Sequence, residues 1–428
     1  MSVINLKGSK SIINRLLIIC LYNNNELVIN NINLCNDVLE ILKIYDTFNK
    51  KYILNKANNS LKIFKSKEYF QPQKSINLII EESGTALRFI LPFLAFYKVV
   101  ESFDDEYFVI LKTGKILSSR PIDKLIECLS NAGAEIFKRN EYIYIKPFNK
   151  NIYRLFFNID SSQSSQFLSS LLLFSINPNF KSFVNPTTQT VSISYVSTTI
   201  KILHKFGYEI SKQDNCYSCN KSVQTSLSNF TCDPDYSTAI YYWIFGILTN
   251  KQVYINVSKN NLQADYKFIY ILKKLCIRGI KRNNKICFLK QKSENPENNT
   301  LKIYMHNMPD QIISLAFLTL YLKQPIIIYG FKTLNQKESK RLDVIIENIR
   351  LLGGTCNLFK NKLEIIPTND FPEKCNLKTH NDHRFAMIFS VLKIIASIDK
   401  SYPEITLDNT DCINKSYPEF ISLLNEIN

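Results

Sequence analysis

The sequence predicts a two-domain α/β protein built from six copies of one unit, and three observations carry that reading. Small polar clusters run into strongly apolar helical stretches around Ser11, Thr85, Ser164, Ser237, Asp310 and Asp382, at gaps of 74, 79, 73, 73 and 72 residues. Out of phase with these, helical patterns end in glycine before a strand at Gly133, Gly207, Gly279 and Gly353, spaced 74, 72 and 74 apart. Each of these glycines stands where a helix end calls for a left-handed residue. Finally, 428 residues exceed what a single core usually serves, so six units divide as three plus three. Each unit reads strand, helix, strand, helix, strand, with room for one more strand.

The first unit opens with a short strand, Val3 to Leu6, and the turn Gly8-Ser9-Lys10-Ser11-Ile12-Ile13-Asn14-Arg15. A helix starting there offers free backbone N–H groups and the positive end of its dipole, beside an ammonium and a guanidinium. That combination favours an anion such as phosphate. The turn is not a Walker loop, which needs a glycine-rich run ending in Gly-Lys-Ser/Thr. Asp37–Phe48 carries apolar residues at helical spacing. Ser83-Gly84-Thr85-Ala86-Leu87-Arg88 repeats the small turn and basic first helical turn ahead of Phe89–Phe96.

Thr113–Pro121 reads as a flexible loop ending in Arg120-Pro121, with the proline suited to the first position of a helix. Ser161–Gln166 gathers hydroxyl and amide groups before an apolar run, a good helix cap and also a donor set for a polyol or phosphate ester. Ser192 and Tyr195 precede the next helix. A domain boundary falls near Phe230–Asp233. The amino end of the stretch Asp235–Leu248 has no Arg or Lys, which suits a structural repeat. Met308-Pro309-Asp310 sets a carboxylate at the start of Gln311–Leu322. Lys337-Glu338-Ser339-Lys340-Arg341, His380-Asn381-Asp382-His383-Arg384 and Lys415-Ser416-Tyr417-Pro418 complete the set of polar clusters.

Composition excludes several classes. Hydrophobic residues make up 45% and charged residues 21%, ordinary values for a globular protein, and no apolar run is long enough for a transmembrane helix. The chain passes directly into its first strand, so no targeting peptide and a cytoplasmic setting are expected. Fifty-three basic against 37 acidic residues give a net charge of +16. The lysines are dispersed among Asn and Ile without a basic block or aromatic platform, so no specific nucleic-acid partner and no membrane partner are expected. Eleven scattered cysteines fit reduced thiols. Cys216 and Cys219 lack a second pair at zinc-site spacing, and no metal site is expected.

Helix starts in three-fold pseudo-symmetric domains can converge on one face. Lys10, Arg15, Arg88, Arg120, Arg341, Arg384 and Lys415 would then surround a cleft with few carboxylates among them. Such a field calls for phosphate or carboxylate ligands held by bidentate arginines. Asp310 and Glu338 are the acids placed to move protons in it.

Together, Gly8-Ser9-Lys10-Ser11-x-x-Asn14-Arg15, Gly84-Thr85-Ala86-x-Arg88, Arg120-Pro121-Ile122, Ser164-Ser165-Gln166-Phe167, Pro309-Asp310, Lys337-Glu338-x-x-Arg341 and Asn381-Asp382-His383-Arg384-x-Ala386-Met387 resemble the 5-enolpyruvylshikimate-3-phosphate (EPSP) synthase family, in family order over nearly the whole chain. The resemblance implies two domains, each of three βαβαββ units in a pseudo-three-fold, inside-out α/β barrel. It puts residues 9–232 on the shikimate 3-phosphate side, and 1–8 plus 233–428 on the phosphoenolpyruvate side with the catalytic carboxylates. It also implies transfer of the enolpyruvyl group of phosphoenolpyruvate to the 5-hydroxyl of shikimate 3-phosphate in the cleft between the domains, with no metal or organic cofactor.

By the same resemblance, Ser11, Arg15, Ser164, Ser165, Gln166, Ser192, Tyr195, Asp310 and Lys337 hold shikimate 3-phosphate. Lys10, Gly84, Arg88, Arg120, Gln166, Arg341, Arg384 and Lys415 line the phosphoenolpyruvate side. Lys10, Asp310 and Glu338 are the catalytic set. A monomer inhibited by glyphosate is the family expectation. The chain departs from the pattern at Glu82-Ser83 (usually Asn-Ala), at Phe89 (commonly Pro) and at Ser339-Lys340 (usually Thr-Asp), which bears on affinity and inhibitor sensitivity. The related transferase acting on UDP-N-acetylglucosamine carries a cysteine in the loop before its Arg-Pro, and Gly114–Ser119 has none. RNA cyclases, distantly related in fold, would call for a nucleophilic histidine and a concentrated basic surface, and neither is evident.

Overall fold

The computed structural model describes residues 1–22, 26–65, 75–97, 108–221, 227–258, 261–290 and 300–428. The chain divides into two compact units, Gly8–Cys232 and Met1–Lys7 with Asp233–Asn428, called the first and second unit below. The first unit holds helices α1 (Lys10–Tyr22), α2 (Asn36–Thr47), α3 (Gly84–Ala95), α4 (Lys115–Ser118), α5 (Asp123–Asn131), α6 (Ser165–Phe174) and α7 (Ile193–Lys205). The second holds α8 (Tyr236–Thr249), α9 (Phe268–Lys274), α10 (Ile312–Tyr321), α11 (Arg341–Leu351), α12 (His383–Ile398) and α13 (Phe420–Glu426).

Each sheet of the first unit has four strands on one plan: a parallel pair, then two antiparallel neighbours. Ile76–Ile80 pairs in parallel with Val109–Thr113, which pairs antiparallel with Tyr142–Ile145, and that strand with Ile136–Arg139. The second unit repeats the plan in two four-stranded sheets. Its third sheet has only two strands, Lys374–Leu377 parallel to Glu404–Leu407, so the sixth repeat lacks the closing hairpin that the repeat pattern predicts. Among the described residues the sheets stay separate, and none closes on itself into a barrel.

The layering is inside-out for a physical reason. Arg154–Ile159 alternates exposed and buried residues, the period-two pattern of a sheet with one wet face. The helices that follow the small polar turns are instead mostly apolar and buried nearly all round. Ile12 through Cys20 are buried without interruption in α1, as are Ile312 through Tyr321 in α10. A helix without a solvent-facing side has to lie inside its unit. Those helices form the cores and the sheets form the outside.

Three of the four register glycines stand just past a helix in the left-handed region: Gly133 (φ 107°), Gly207 (φ 80°) and Gly353 (φ 81°). The fourth differs. After α9 the left-handed residue is Cys276 (φ 55°), and Gly279 lies within strand Ile277–Arg282, where an added Cβ would come within 3.0 Å of the Phe288 ring. That glycine serves packing against Phe288 rather than helix termination. The loop expected over Thr113–Pro121 contains the short helix α4, and Pro121 stands two residues ahead of α5 rather than at its first position.

Candidate functional site

In the first unit, α1 begins at Lys10, and its first two turns carry Ser11 and Arg15 on one side. Arg15 is buried, 3% exposed, and all its hydrogen bonds go to neutral oxygens: Nε to Thr199 Oγ1 (2.7 Å), Nη1 to Ser11 O (2.8 Å) and Oγ (2.7 Å), and Nη2 to the Tyr195 carbonyl (3.2 Å). Burial pulls its pKa down to about 10, because no carboxylate repays the lost hydration of the cation. Its guanidinium lies 5.2 Å over the ring of Phe89, whose face supports the buried cation. Tyr195 lies within the first turn of α7 rather than ahead of it, and Ser192 takes the position before that helix with a left-handed backbone (φ 51°). Lys10 Nζ pairs with Asp37 of α2 at 2.9 Å.

A second group forms at the amino ends of α3 and α6. Ser164 caps α6 by accepting from the Gln166 N–H (3.3 Å), with Ser165 buried beside it. Gln166 Oε1 accepts from Arg88 Nη1 (2.7 Å), and Gln166 Nε2 donates to Thr85 Oγ1 (3.1 Å). Arg88 also donates from Nη2 to the Pro121 carbonyl (2.7 Å), which ties α3 to the segment bearing Arg120. Gly84 marks where the cations gather: a Cβ there would sit 2.6 Å from Arg120 Nη1 and 3.0 Å from Arg88 Nη1. Two guanidinium groups at a helix amino terminus have the chemistry to hold an anion.

In the second unit the organiser is Arg341, 1% exposed at the start of α11. It donates from Nη1 to Asp310 (2.9 Å), from Nη2 to Glu338 (2.7 Å), and from Nε to Asp382 (2.7 Å). Asp310 stands in the 3-10 turn Pro309–Gln311 leading into α10 and also meets Lys337 Nζ at 3.1 Å and Arg384 Nη2 at 3.8 Å. Burial alone would raise the Asp310 carboxyl; Lys337, Arg384 and Arg341 outweigh it and hold the group well below the usual carboxylate range. Asp382 caps α12 by accepting from the Arg384 N–H (3.0 Å). Lys415 ends the 3-10 turn Asp411–Lys415, which packs against α12.

The expectation of few carboxylates among the cations does not hold. Asp37 accompanies Lys10, and Asp310, Glu338 and Asp382 surround Arg341. Sequence reading did not assign Asp37, Thr199 or Asp382 to the site. Asp382 alone carried a signal, as part of the Asn381–Arg384 motif, and its capping role explains why an acid stands there. Among the described residues no group of three or more His, Cys, Asp or Glu side chains is placed to hold a metal ion.

Internal helices under outer sheets, with cations at several helix starts, form the fold that this chain shares with enolpyruvyl transferases. Two solved structures share the fold: EPSP synthase from Acinetobacter baumannii (TM-score 0.72, 16% identity, all of this chain and 95% of that one) and the enolpyruvyl transferase NikO from Streptomyces tendae (TM-score 0.70, 12% identity, all of this chain and 94% of that one). The family model for EPSP synthase (3-phosphoshikimate 1-carboxyvinyltransferase) matches residues 1–424, and the chain belongs to that family. Among similar curated proteins, the 3-phosphoshikimate 1-carboxyvinyltransferase of Buchnera aphidicola subsp. Cinara cedri is 28% identical, covering 97% of this chain and 92% of its own length. That of Haemophilus influenzae strain PittEE is 27% identical, covering 99% and 96%.

Proposed function

We propose that this protein transfers the enolpyruvyl group of phosphoenolpyruvate to the 5-hydroxyl of shikimate 3-phosphate and releases phosphate. Membership of the EPSP synthase family over residues 1–424 is the observation that carries this reading. The local chemistry supports the division of labour. Arg15, with Ser11, Tyr195 and the serines ahead of α6 and α7, is assigned to shikimate 3-phosphate. A buried guanidinium bonded only to neutral oxygens has charge left for a phosphate. Gly84, Arg88, Arg120 and Lys10, with Arg341, Arg384 and Lys415 of the second unit, are assigned to phosphoenolpyruvate. Gln166, bonded to Arg88, belongs to both substrates.

In the addition step the 5-hydroxyl oxygen bonds to C2 of phosphoenolpyruvate, its proton leaves to Asp310, and C3 gains a proton from Glu338 with help from Lys10. In the elimination step C3 returns a proton to the Glu338 carboxylate, the double bond re-forms, and the C2–O bond to phosphate breaks, the departing phosphate taking the proton held by Asp310. Lys337, 3.1 Å from Asp310, is assigned to orient the hydroxyl. Lys337, Arg384 and Arg341 keep Asp310 ionised, the form that can accept a proton.

A monomer is the family reading, and the eleven cysteines, all free, suit a cytoplasmic setting. Glyphosate, an anion with carboxylate and phosphonate groups, is assigned to the phosphoenolpyruvate side. The test is phosphate release from phosphoenolpyruvate by purified protein with and without shikimate 3-phosphate. Release is expected only with both, and Glu338→Ala and Asp310→Ala should lower kcat about 10²- to 10⁴-fold. Release with UDP-N-acetylglucosamine as acceptor, or wild-type turnover in Asp310→Ala, would overturn it.

A further inference from the structure

The turn ahead of α3 is held by a carboxylate that the reaction scheme does not use. Glu40 of α2 is 7% exposed, and its Oε1 accepts from the backbone N–H groups of Glu81 (3.0 Å) and Glu82 (2.9 Å) while Oε2 accepts from that of Ser83 (2.9 Å). Among the described residues no Lys or Arg pairs with it, so three peptide dipoles meet its charge. Three successive N–H groups turned inward ahead of a helix make a nest that would itself take a small anion. Here a side chain of the same unit fills it.

The next residue is Gly84, where Arg88 and Arg120 gather. Ser83, buried, continues the arrangement by capping α3 through its Oγ, which accepts from the Ala86 N–H (3.1 Å). On the other side, Gly114 packs on the same turn. Its N–H donates to the Ile80 carbonyl (3.1 Å), and an added Cβ would fall 2.2 Å from the Glu81 carbonyl oxygen. Gly114 leads through α4 to Arg120. The position of residues 81–83 therefore fixes both the backbone at Gly84 and the segment that brings Arg120 to it.

We propose that Glu40 is a positioning residue for the phosphoenolpyruvate seat: by filling the 81–83 nest it fixes the amino end of α3 and confines the incoming anion to Gly84 and the two guanidinium groups. An empty nest would offer the substrate a competing, misplaced seat. This inference rests on the function proposed above for the substrate's identity.

The experiment compares wild type, Glu40→Gln and Glu40→Ala by steady-state kinetics and by titration calorimetry with shikimate 3-phosphate. Glu40→Ala is expected to raise KM for phosphoenolpyruvate about tenfold or more, and Glu40→Gln less, while the dissociation constant for shikimate 3-phosphate stays within about twofold. Added acetate, which matches the removed side-chain end, should restore part of the lost affinity in Glu40→Ala and none in wild type. Unchanged KM for phosphoenolpyruvate in both variants, or parallel loss of shikimate 3-phosphate binding, would overturn the role of Glu40. If Glu40→Ala does not fold, the same split in Glu40→Gln decides. If wild type does not turn over, the proposed function fails, and calorimetry with phosphoenolpyruvate still decides whether Glu40 governs its binding.

Discussion

Arg341 Nη1 lies 2.9 Å from Asp310 Oδ1, and through that contact the start of α11 is fixed to the start of α10. The same guanidinium reaches Asp382, fully buried at the cap of α12, with Nε at 2.7 Å and Nη2 at 3.2 Å. One arginine thus joins three helix starts of the second unit. A lysine could not do this, because its single ammonium lacks the planar fork that addresses several carboxylates at fixed angles.

Asp310 carries a pH signature with a definite sign. Its folded pKa is depressed below the unfolded value, so its contribution to stability is fully present above the unfolded pKa of about 4 and is lost as pH falls toward the folded value. Asp310→Asn should cost about 3 kcal/mol at neutral pH, as expected for breaking a largely buried ion pair. Urea midpoints of wild type and variant, measured across pH, should differ by a constant amount from about pH 5 to 8 and converge below about pH 4. A gap that widened on acidification would contradict the ion-pair account.

Arg15 leads to the opposite behaviour, a cost that a ligand relieves. Its charge is buried without a carboxylate, so a phosphate ester bound there should stabilise the fold by about 2.7 kcal/mol when present at a hundred times its dissociation constant. Thermal melts with shikimate 3-phosphate should show the corresponding rise in Tm for wild type and little or none for Arg15→Ala. An undiminished shift in the variant would remove Arg15 from the phosphate site.

How much of this was legible in the residues varied with the physics behind each. Helix starts at Lys10, Gly84, Ser165 and His383 follow from local signals, since a small or capping residue ahead of an apolar run leaves few other structures. Gly133, Gly207 and Gly353 were legible because a left-handed residue after a helix favours glycine. Gly279 was misread because Cys276 takes the left-handed position, and the demand on Gly279 comes from Phe288, a strand away. The partners of the cations were the least legible. Asp37 meets Lys10 across 27 positions and Asp382 meets Arg341 across 41, and an acid in a first helical turn looks the same whether it faces water or a guanidinium.

Gly84 offers the test that separates seat from scaffold. An added Cβ would meet Arg120 Nη1 at 2.6 Å, Arg120 Cζ at 2.8 Å and Arg88 Nη1 at 3.0 Å, all at the far ends of flexible side chains rather than backbone. Gly84 also shows no positive φ, so alanine there carries no backbone penalty. Gly84→Ala should therefore leave Tm within about 3 °C, because helix propensity gains roughly what repacking loses. The displaced guanidinium groups should instead weaken the anion seat. KM for phosphoenolpyruvate is expected to rise about tenfold, equivalent to about 1.4 kcal/mol, with glyphosate inhibition weakened and shikimate 3-phosphate binding unchanged. A variant that lost shikimate 3-phosphate binding as well would show that the two arginines and Arg15 answer to one site rather than two.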